Sequence, residues 1–444
     1  MLKRFPLFIR HVMYNLRGGF LVRPLIIALS LGLSGAVLSF IEESVPALSS
    51  WVPKWLFPSH TDSQVAQVIL SGIATSVMTV VSIVFAILLM TLTLASMQFS
   101  PRIIVSFAKD RVTQWTLGIF LGTFSYCIAA LPSAHTYPQR FEPVVTVMGA
   151  MLLAVICVAW LLFFIHHISQ AISVNHIVDR IAYETEAMIH DLMPNPIRRH
   201  AIGIDSEHSV SNTGVAVLSS VSGYIRFIDG KRLLELAKSN RITVSVLRRV
   251  GHFVPAGVPL MTVSKEHRLT PDLIVALCAS FDIGPTRTLQ QDVEFGILQI
   301  VDIALKAISP AVNDPTTAIT CVDQLSRILI CFAGREQPDT DLFNPPGVLR
   351  VSIPWLGLER LVDSAFEQIR SYATKDVAVS LRILRALADI GATVPDHAVK
   401  EMLAGRGRRV VAGAVGQLAD DELNEMRKRL KILEKAATEP VEEP

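Results

Sequence analysis

Two groups of polar residues in this chain have types and spacings that could support chemistry. One is a run of hydroxyl and small side chains inside a segment that carries no charge between Asp62 and Arg102. The other is the segment RTLQQDVEFGILQIVDIALKAISPAVNDPTTAI, which is rich in carboxylates and amides. Hydroxyl oxygens can line a path for ions or small solutes, and carboxylates can hold a cation or act as acids and bases.

The hydroxyl run repeats at three- and four-residue steps, so its members share one face of a helix. We call this face the polar seam. One interpretation is the lining of a pore, and the other is helix packing, because small and hydroxyl residues are common at buried interfaces in membranes. Packing is the commoner case. The pore-lining candidates are Ser71, Thr75, Thr79, Ser82, Ala86 and Thr93.

Two acidic residues, Glu42 and Glu43, close the first apolar run. In an oligomer they could form a ring of carboxylates at an external vestibule, which would concentrate cations. The simpler interpretation is a pair of solvated charges at a helix end. No Asp, Glu, Lys or Arg lies in the middle of an apolar run, which argues against an ion-driven transporter but allows a passive pore.

The carboxylate-rich segment also has two interpretations. The structural one is a helix, a turn at Ser309-Pro310, and a second helix capped by Asp314 with Pro315 at its first position. The functional one is a ligand or coupling site that also includes Arg102. Its other candidates are Asp292, Asp302, Asn313 and Asp314. Because no nucleophile or phosphate-binding loop accompanies these residues, we predict no enzymatic activity, no catalytic residue and no cofactor.

The composition indicates which elements position these groups. Half of the residues are hydrophobic (51%) and only 18% are charged, whereas soluble domains carry about 25% charge. The five cysteines have no metal-ligand spacing, so we predict no metal site. A bilayer core of about 30 Å needs roughly 20 helical residues. Four predicted spans satisfy this length: 22–41, 65–95, 114–132 and 143–165.

Basic residues orient these spans. They precede the first span, lie between the second and third, and follow the fourth, whereas the other two loops contribute only Lys54 and Arg140. Both termini are therefore predicted to be cytoplasmic, together with everything after about residue 166. The net charge of +2 gives no reason to expect nucleic acid as a partner. Membrane lipid and further copies of the chain are the expected partners.

The cytoplasmic half is predicted to begin with an amphipathic stalk helix and to continue as a small β module. In that module Gly251, Val254, Gly257 and Leu260 have the spacing of a turn in a lipoyl- or biotinyl-type barrel-sandwich. The lysine that would carry a prosthetic group is absent from the segment. A helical domain follows. The predicted fold is therefore a four-helix membrane domain joined to an α+β cytoplasmic region.

The predicted domain boundaries follow from these patterns. They are 1–165 for the transmembrane domain, 166–205 for the stalk and linker, 206–268 for the β module, 269–437 for the helical domain and 438–444 for a disordered tail.

Three segments resemble the bacterial family of predicted membrane proteins called domain of unknown function 2254 (DUF2254). They are ASMQFSPRIIVSFAKDR, LGIFLGTFSYCIAAL and ISPAVNDPTTAI. The resemblance covers nearly the whole chain. It implies a multi-pass protein of the bacterial inner (plasma) membrane and implies no activity. Since two of these segments are predicted to be cytoplasmic, we expect the loop 96–111 to dock near Asp302 and Asp314.

Two functions remain open on the sequence. The first is a homo-oligomeric ion or small-solute channel with a regulatory cytoplasmic domain, supported by the polar seam and by the lack of charge inside the spans. The alternative is a membrane-anchored sensor or scaffold whose cytoplasmic domain binds a ligand or a protein. The exposure of the seam distinguishes them: burial within one protomer favours the sensor or scaffold.

Overall fold

The computed structural model describes residues 22–45, 63–98, 111–133, 143–171, 173–193, 214–344 and 347–438. The chain divides into two compact units, with the boundary between Ser173 and Val174. The protein is mainly helical, with two small sheets that both lie in the second unit.

The described part of the first unit consists of helices. They are α1 (Val22–Ser44), α2 (Ser63–Gln98), α3 (Arg111–Ala130) with a 3-10 turn at Leu131–Ser133, and α4 (Val144–Ala171). Each of the four predicted spans coincides with one of them. Helix α2 is continuous over 36 residues, which makes it roughly 54 Å long at 1.5 Å per residue.

The helices α1, α2 and α4 are long and apolar enough to cross a membrane, and most of each faces outward. Helix α3 carries more polar residues and instead packs against the other three helices. Its inward side buries Thr116, Thr123 and Tyr126. A helix that is surrounded by protein needs less apolar surface than one that faces lipid. This is why α3 can hold hydroxyl groups in an apolar unit.

Glycines on α3 allow α1 to approach closely. A Cβ on Gly118 would lie 2.7 Å from Ile27 Cδ1, and one on Gly122 would collide with Leu31. These two glycines are four residues apart, so they form one smooth patch on the helix. In the structure this small-residue step therefore serves helix packing.

In the part of the second unit that the structure describes, eight strands form two sheets. They are β1 (Val215–Leu218), β2 (Gly223–Ile228), β3 (Val244–Val246), β4 (Phe253–Val254), β5 (Pro259–Val263), β6 (Phe281–Gly284), β7 (Asp341–Asn344) and β8 (Val348–Ser352). The five-stranded sheet has the order β1-β5-β3-β8-β7, and the three-stranded sheet has the order β4-β2-β6. Only the β3–β8 pair is parallel among these pairings.

The predicted β module is only partly right. Gly251 and Gly257 do adopt positive φ angles of 86° and 81°, and Val254 and Leu260 are buried. However, the described strands form two sheets and no closed barrel. The strand set also extends past residue 268, because β6, β7 and β8 come later in the chain. A strand's residue pattern does not specify which distant strand will pair with it, so the local motif could not define the module.

The helices of the second unit account for most of its remaining residues. They are α5 (Val174–Leu192), α6 (Gly230–Ser239), α7 (Pro271–Cys278), α8 (Val293–Ala307), α9 (Pro315–Ala333), α10 (Leu358–Tyr372), α11 (Val377–Thr393), α12 (His397–Ala414) and α13 (Asp420–Thr438). A short 3-10 turn also occurs at Glu266–Arg268. Helix α9 has the length and apolar composition of a membrane span, but half of its apolar window is buried inside this unit.

Helix α5 is part of this core, and the prediction of a separate stalk is wrong for it. Its apolar face, including Ile181 and Ile189, is buried against α8 and α9. Arg327 of α9 pairs with Glu186 of α5 at 2.5 Å. The amphipathic period predicted the helix correctly, but it did not identify the surface that covers its apolar face. The predicted linker after 193 and the tail after Thr438 lie outside the described residues.

Candidate functional site

The polar seam occupies the outer face of α2. Burial on this helix falls on the opposite face, at residues such as Leu70, Val77 and Val84. The periodicity of the helix therefore turns the seam away from this buried face. All six pore-lining candidates are exposed: Ser71, Thr75, Thr79, Ser82, Ala86 and Thr93.

An open groove of about 400 Å³ runs along part of the seam. One wall carries hydroxyl side chains of α2, and the other carries Phe124 and Ile128 of α3. Ser71, Thr75 and Ser82 line it together with Thr79, which lies near the middle of α2. The groove thus presents hydroxyl oxygens on one side and an apolar surface on the other.

Four of the five seam hydroxyls use their hydrogens within the helix. Thr79 Oγ1 donates to the carbonyl of Thr75 at 3.0 Å, and Ser82 Oγ donates to that of Met78 at 3.1 Å. Ser71 and Thr93 make the same kind of bond to the preceding turn. Each of these donors is satisfied. What the four side chains present outward is therefore a set of oxygen lone pairs.

The predicted external vestibule is not formed as expected, because Glu42 is fully buried. Its carboxylate accepts hydrogen bonds from the backbone N–H of Val145 at 2.7 Å and of Thr146 at 2.9 Å, and from the Thr146 hydroxyl at 2.8 Å. Glu42 at the end of α1 is thus the N-terminal cap of α4. Only Glu43 is exposed, as a vestibule carboxylate would be.

Further polar contacts join α3 to α4. The Tyr126 hydroxyl donates to the Thr146 carbonyl at 3.1 Å. Trp160 Nε1 donates to Thr116 Oγ1 at 2.9 Å, and Thr123 Oγ1 lies 3.2 Å from Cys157 Sγ. The inward hydroxyls of α3 are therefore structural groups, which distinguishes them from the outward hydroxyls of α2.

The NDPTT segment forms a capped turn. Asp314 accepts from the Thr317 backbone N–H at 3.1 Å and from the Thr317 hydroxyl at 2.6 Å. These hydrogen bonds lower the pKa of the Asp314 carboxyl. Asn313 takes up a left-handed conformation with φ of 50°, and Pro315 opens α9. Each of these features matches the structural interpretation of the sequence.

The predicted ligand residues do not converge on one place. Asp292 caps the N-terminus of α8 by accepting from the Phe295 N–H, whereas Asp314 lies beyond the other end of that helix. The 15 residues of α8 separate these ends by roughly 22 Å. Asp302 lies between them on α8. Arg102, and with it the expected docking of the loop 96–111, lies outside the described residues.

Asp292 belongs instead to a buried ion-pair network that the sequence interpretation missed. Arg287 donates to Asp292 at 2.7 Å and to Glu294 at 2.9 Å. Arg249, next to the β3–β4 turn, donates to Glu294 at 3.2 Å, and Ser364 of α10 donates to the same carboxylate. The network therefore ties a strand turn, the start of α8 and α10 together.

Electrostatics within this network are balanced. Burial raises the pKa of Glu294, but Arg249 and Arg287 lower it by more, so the net pKa is below its usual value. Burial likewise lowers the pKa of Arg287, while its bonds to Asp292 and Glu294 raise it above the ordinary range. Two cations face two carboxylates, and each carboxylate has at least one guanidinium partner. We interpret the network as structural.

No cluster of three or more metal-ligating side chains occurs in the part of the chain that the structure describes. One sequence signal could have indicated the ion network. Gly251 needs a positive φ, and a Cβ there would lie 2.5 Å from Asp292 Oδ2 and 2.6 Å from an Arg287 nitrogen. A glycine in that position allows the two charged groups to approach the turn.

Comparison with known proteins places the chain in a family. Residues 17–389 match the profile of the predicted membrane proteins DUF2254. The chain belongs to this family. Uncharacterised proteins of Mycobacterium bovis and Mycobacterium tuberculosis are 31% identical to this DUF2254 chain over 427 residues, which is 94% of the chain and 80% of each relative. No solved structure matches it significantly.

The family assignment confirms the resemblance seen in the three sequence segments, and with the apolar helices it makes this DUF2254 chain a membrane protein. Neither the family description nor the descriptions of the mycobacterial relatives indicate an enzymatic activity.

Proposed function

We propose that the chain is a multi-pass protein of the bacterial inner membrane that assembles into a homo-oligomeric channel for an ion or small solute and has no enzymatic activity. Helices α1 to α4 would cross the membrane. The observation that carries this proposal is the exposure of all six pore-lining candidates on the side of α2 opposite its buried face.

The position of the seam supports an arrangement of several copies. Hydroxyl groups make no favourable hydrogen bonds with lipid tails. If α2 helices from several copies surrounded a central axis, their seams would instead face water. The outward lone pairs of Ser71, Thr79, Ser82 and Thr93 can replace part of the hydration of a passing solute. The uncharged groove would present no fixed charge that binds a solute too tightly to release it.

The distribution of Lys and Arg supports an orientation in which both termini lie in the cytoplasm. The second unit would then be cytoplasmic and would regulate permeation through the channel. Only residues 172 and 173 separate α4 from α5. A change in the core that holds α5 would therefore act on α4 through a very short connection.

A membrane-anchored sensor or scaffold is the second candidate. The observation that favours it is the internal satisfaction of the seam donors. Such a face can pack against a second copy while the hydroxyl hydrogens of Ser71, Thr79, Ser82 and Thr93 stay paired, so a dimer interface would not need a pore. The cytoplasmic unit would then bind the ligand or the protein partner.

One experiment separates these functions. The purified protein is reconstituted in liposomes, and the flux of monovalent cations and anions is measured for the wild type, Thr79→Trp and Val155→Trp. Thr79 lies in the groove near the middle of α2, and Val155 is an outward apolar residue near the middle of α4. Both substitutions add the same indole at a similar depth, so they differ in the face that they occupy.

The channel proposal expects flux in the wild type and in Val155→Trp, and at least a tenfold loss in Thr79→Trp with an unchanged oligomer size. Equal flux in all three proteins would show that the seam does not line the permeation path. Absence of flux in the wild type, together with dissociation of the oligomer in Thr79→Trp, would support the scaffold.

A further inference from the structure

The last helix of the chain has an exposed basic face. Five of its basic residues are exposed, namely Arg427, Lys428, Arg429, Lys431 and Lys435. Ile432 lies beside them with 59% of its surface accessible. Arg429 points to another side, whereas Arg427, Lys428, Lys431 and Lys435 are linked by steps of three or four positions and share one side of the helix. We call them the basic face of α13.

Packing inside the second unit fixes the direction of this face. Leu423, Met426 and Leu433 on the other side of α13 are buried. Helix α13 packs against α11 and α12, and a Cβ on Gly407 of α12 would lie 2.7 Å from a Leu433 methyl group. The helix is therefore held by its apolar side, and its cations point away from the core.

Most acidic residues of α13 lie in its first turn or have partners outside this face. Asp420, Asp421 and Glu422 lie in the first turn, where they suit the helix dipole. Glu434 pairs with Arg408 of α12 at 3.1 Å. Glu425 pairs with Lys428 at 3.4 Å, but both side chains are well exposed, and such pairs contribute little.

We propose that the basic face of α13 docks on the anionic phospholipid headgroups of the bilayer in which the chain is anchored. A basic helix face with an adjacent apolar residue is the form that binds at a charged membrane surface. Because the first unit holds the chain in the membrane, the headgroups are present at high effective concentration. The proposal needs only membrane insertion and is independent of conduction.

The size of the effect follows from the number of cations. A Lys or Arg close to an anionic membrane surface strengthens binding by about fivefold. Replacing three lysines of the face with glutamine should therefore weaken docking by roughly a hundredfold if all three reach the headgroups. High salt should also weaken docking, because the Debye length falls to about 3 Å at 1 M salt.

Hydrogen–deuterium exchange of the full-length protein in lipid nanodiscs tests the proposal. Nanodiscs expose both leaflets, so the result does not depend on the direction of insertion. The backbone amides of α13 are followed in neutral phosphatidylcholine discs and in discs with 30% phosphatidylglycerol. The test variant is Lys428→Gln/Lys431→Gln/Lys435→Gln. The control is Lys231→Gln/Arg232→Gln/Lys238→Gln, which removes three exposed cations from α6.

The expected result is slower exchange across α13 in the anionic discs, by about tenfold or more, for the wild type and the control variant. The test variant and the wild type at 1 M salt should both return to the rate in neutral discs. The proposal is wrong if lipid charge leaves the rate unchanged, or if both variants lose protection equally. A third outcome would also overturn the proposal. If exchange is slow in both kinds of disc and only the test variant loses this protection, the basic face binds a protein partner.

Discussion

Removal of the Glu42 carboxylate should destabilise the first unit far more than removal of the neighbouring Glu43 carboxylate. Glu42 is fully buried and accepts three hydrogen bonds from the first turn of α4, two of them from backbone N–H groups. Hydrogen bonds to a charged group contribute about 1.5–3 kcal/mol each, and a buried donor left unpaired costs about 1–3 kcal/mol. For Glu42→Ala, partial relaxation of the unpaired groups leaves an expected loss of ~3–5 kcal/mol.

The conservative variant refines this expectation. Glu42→Gln keeps one side-chain oxygen as an acceptor for the start of α4 but loses the negative charge that the helix dipole favours. The expected loss is about 1–2 kcal/mol. The measurement is the free energy of unfolding of the purified protein in mixed micelles as the fraction of denaturing detergent rises, followed by the loss of helical circular dichroism.

Glu43→Ala is the matched control, because Glu43 is the exposed neighbour on the same turn. Its unfolding free energy should stay within about 0.5 kcal/mol of the wild type. The reasoning would be refuted by a Glu42→Ala protein as stable as Glu43→Ala. That result would mean that α4 begins without help from the end of α1.

Two further predictions concern packing and charge. Gly122→Ala should lower the unfolding free energy by about 1–3 kcal/mol, because the added methyl group collides with Leu31, whereas Gly72→Ala, which meets nothing within 4 Å, should be neutral in the same assay. Glu294→Gln should lower stability by ~3 kcal/mol at neutral pH, because it leaves Arg249 with no buried countercharge. The folded-state pKa of Glu294 is below its unfolded value, so its stabilisation is present above the unfolded pKa and is lost as pH falls through the folded pKa. The difference in unfolding free energy between the wild type and Glu294→Gln, measured by chemical unfolding, should therefore shrink in acid. A difference that stays constant with pH would contradict the stabilising role of the charged Glu294.

Several elements could be predicted because their causes are local. The first unit follows from long uncharged apolar runs, since a chain in lipid must satisfy its backbone within each helix. The start of α9 follows from Asp314 and Pro315, which act on the residues next to them. The seam on α2 could be predicted as one face of a helix because a period of 3.6 residues fixes which side chains share a side.

Other features depend on residues that are far apart in the chain. Glu42 caps a helix that begins about a hundred residues later, so its charge could be noticed in the sequence but its burial could not. Arg249 and Glu294 meet only because the β3–β4 turn lies beside the start of α8. Asp292 was identified as a polar candidate, yet its partner Arg287 and its role as a cap became visible only in the fold.

The sequence by itself therefore determined the membrane helices, the Asp314 cap of α9 and the polar face of α2, since each follows from a pattern within about forty residues. Only the tertiary structure decided what each face meets. It turned the seam outward, buried the face of α5 in the second unit, and converted Glu42 from a surface charge into a helix cap. The physical reason is that hydrogen bonding within an element is local, whereas burial depends on which distant elements pack together.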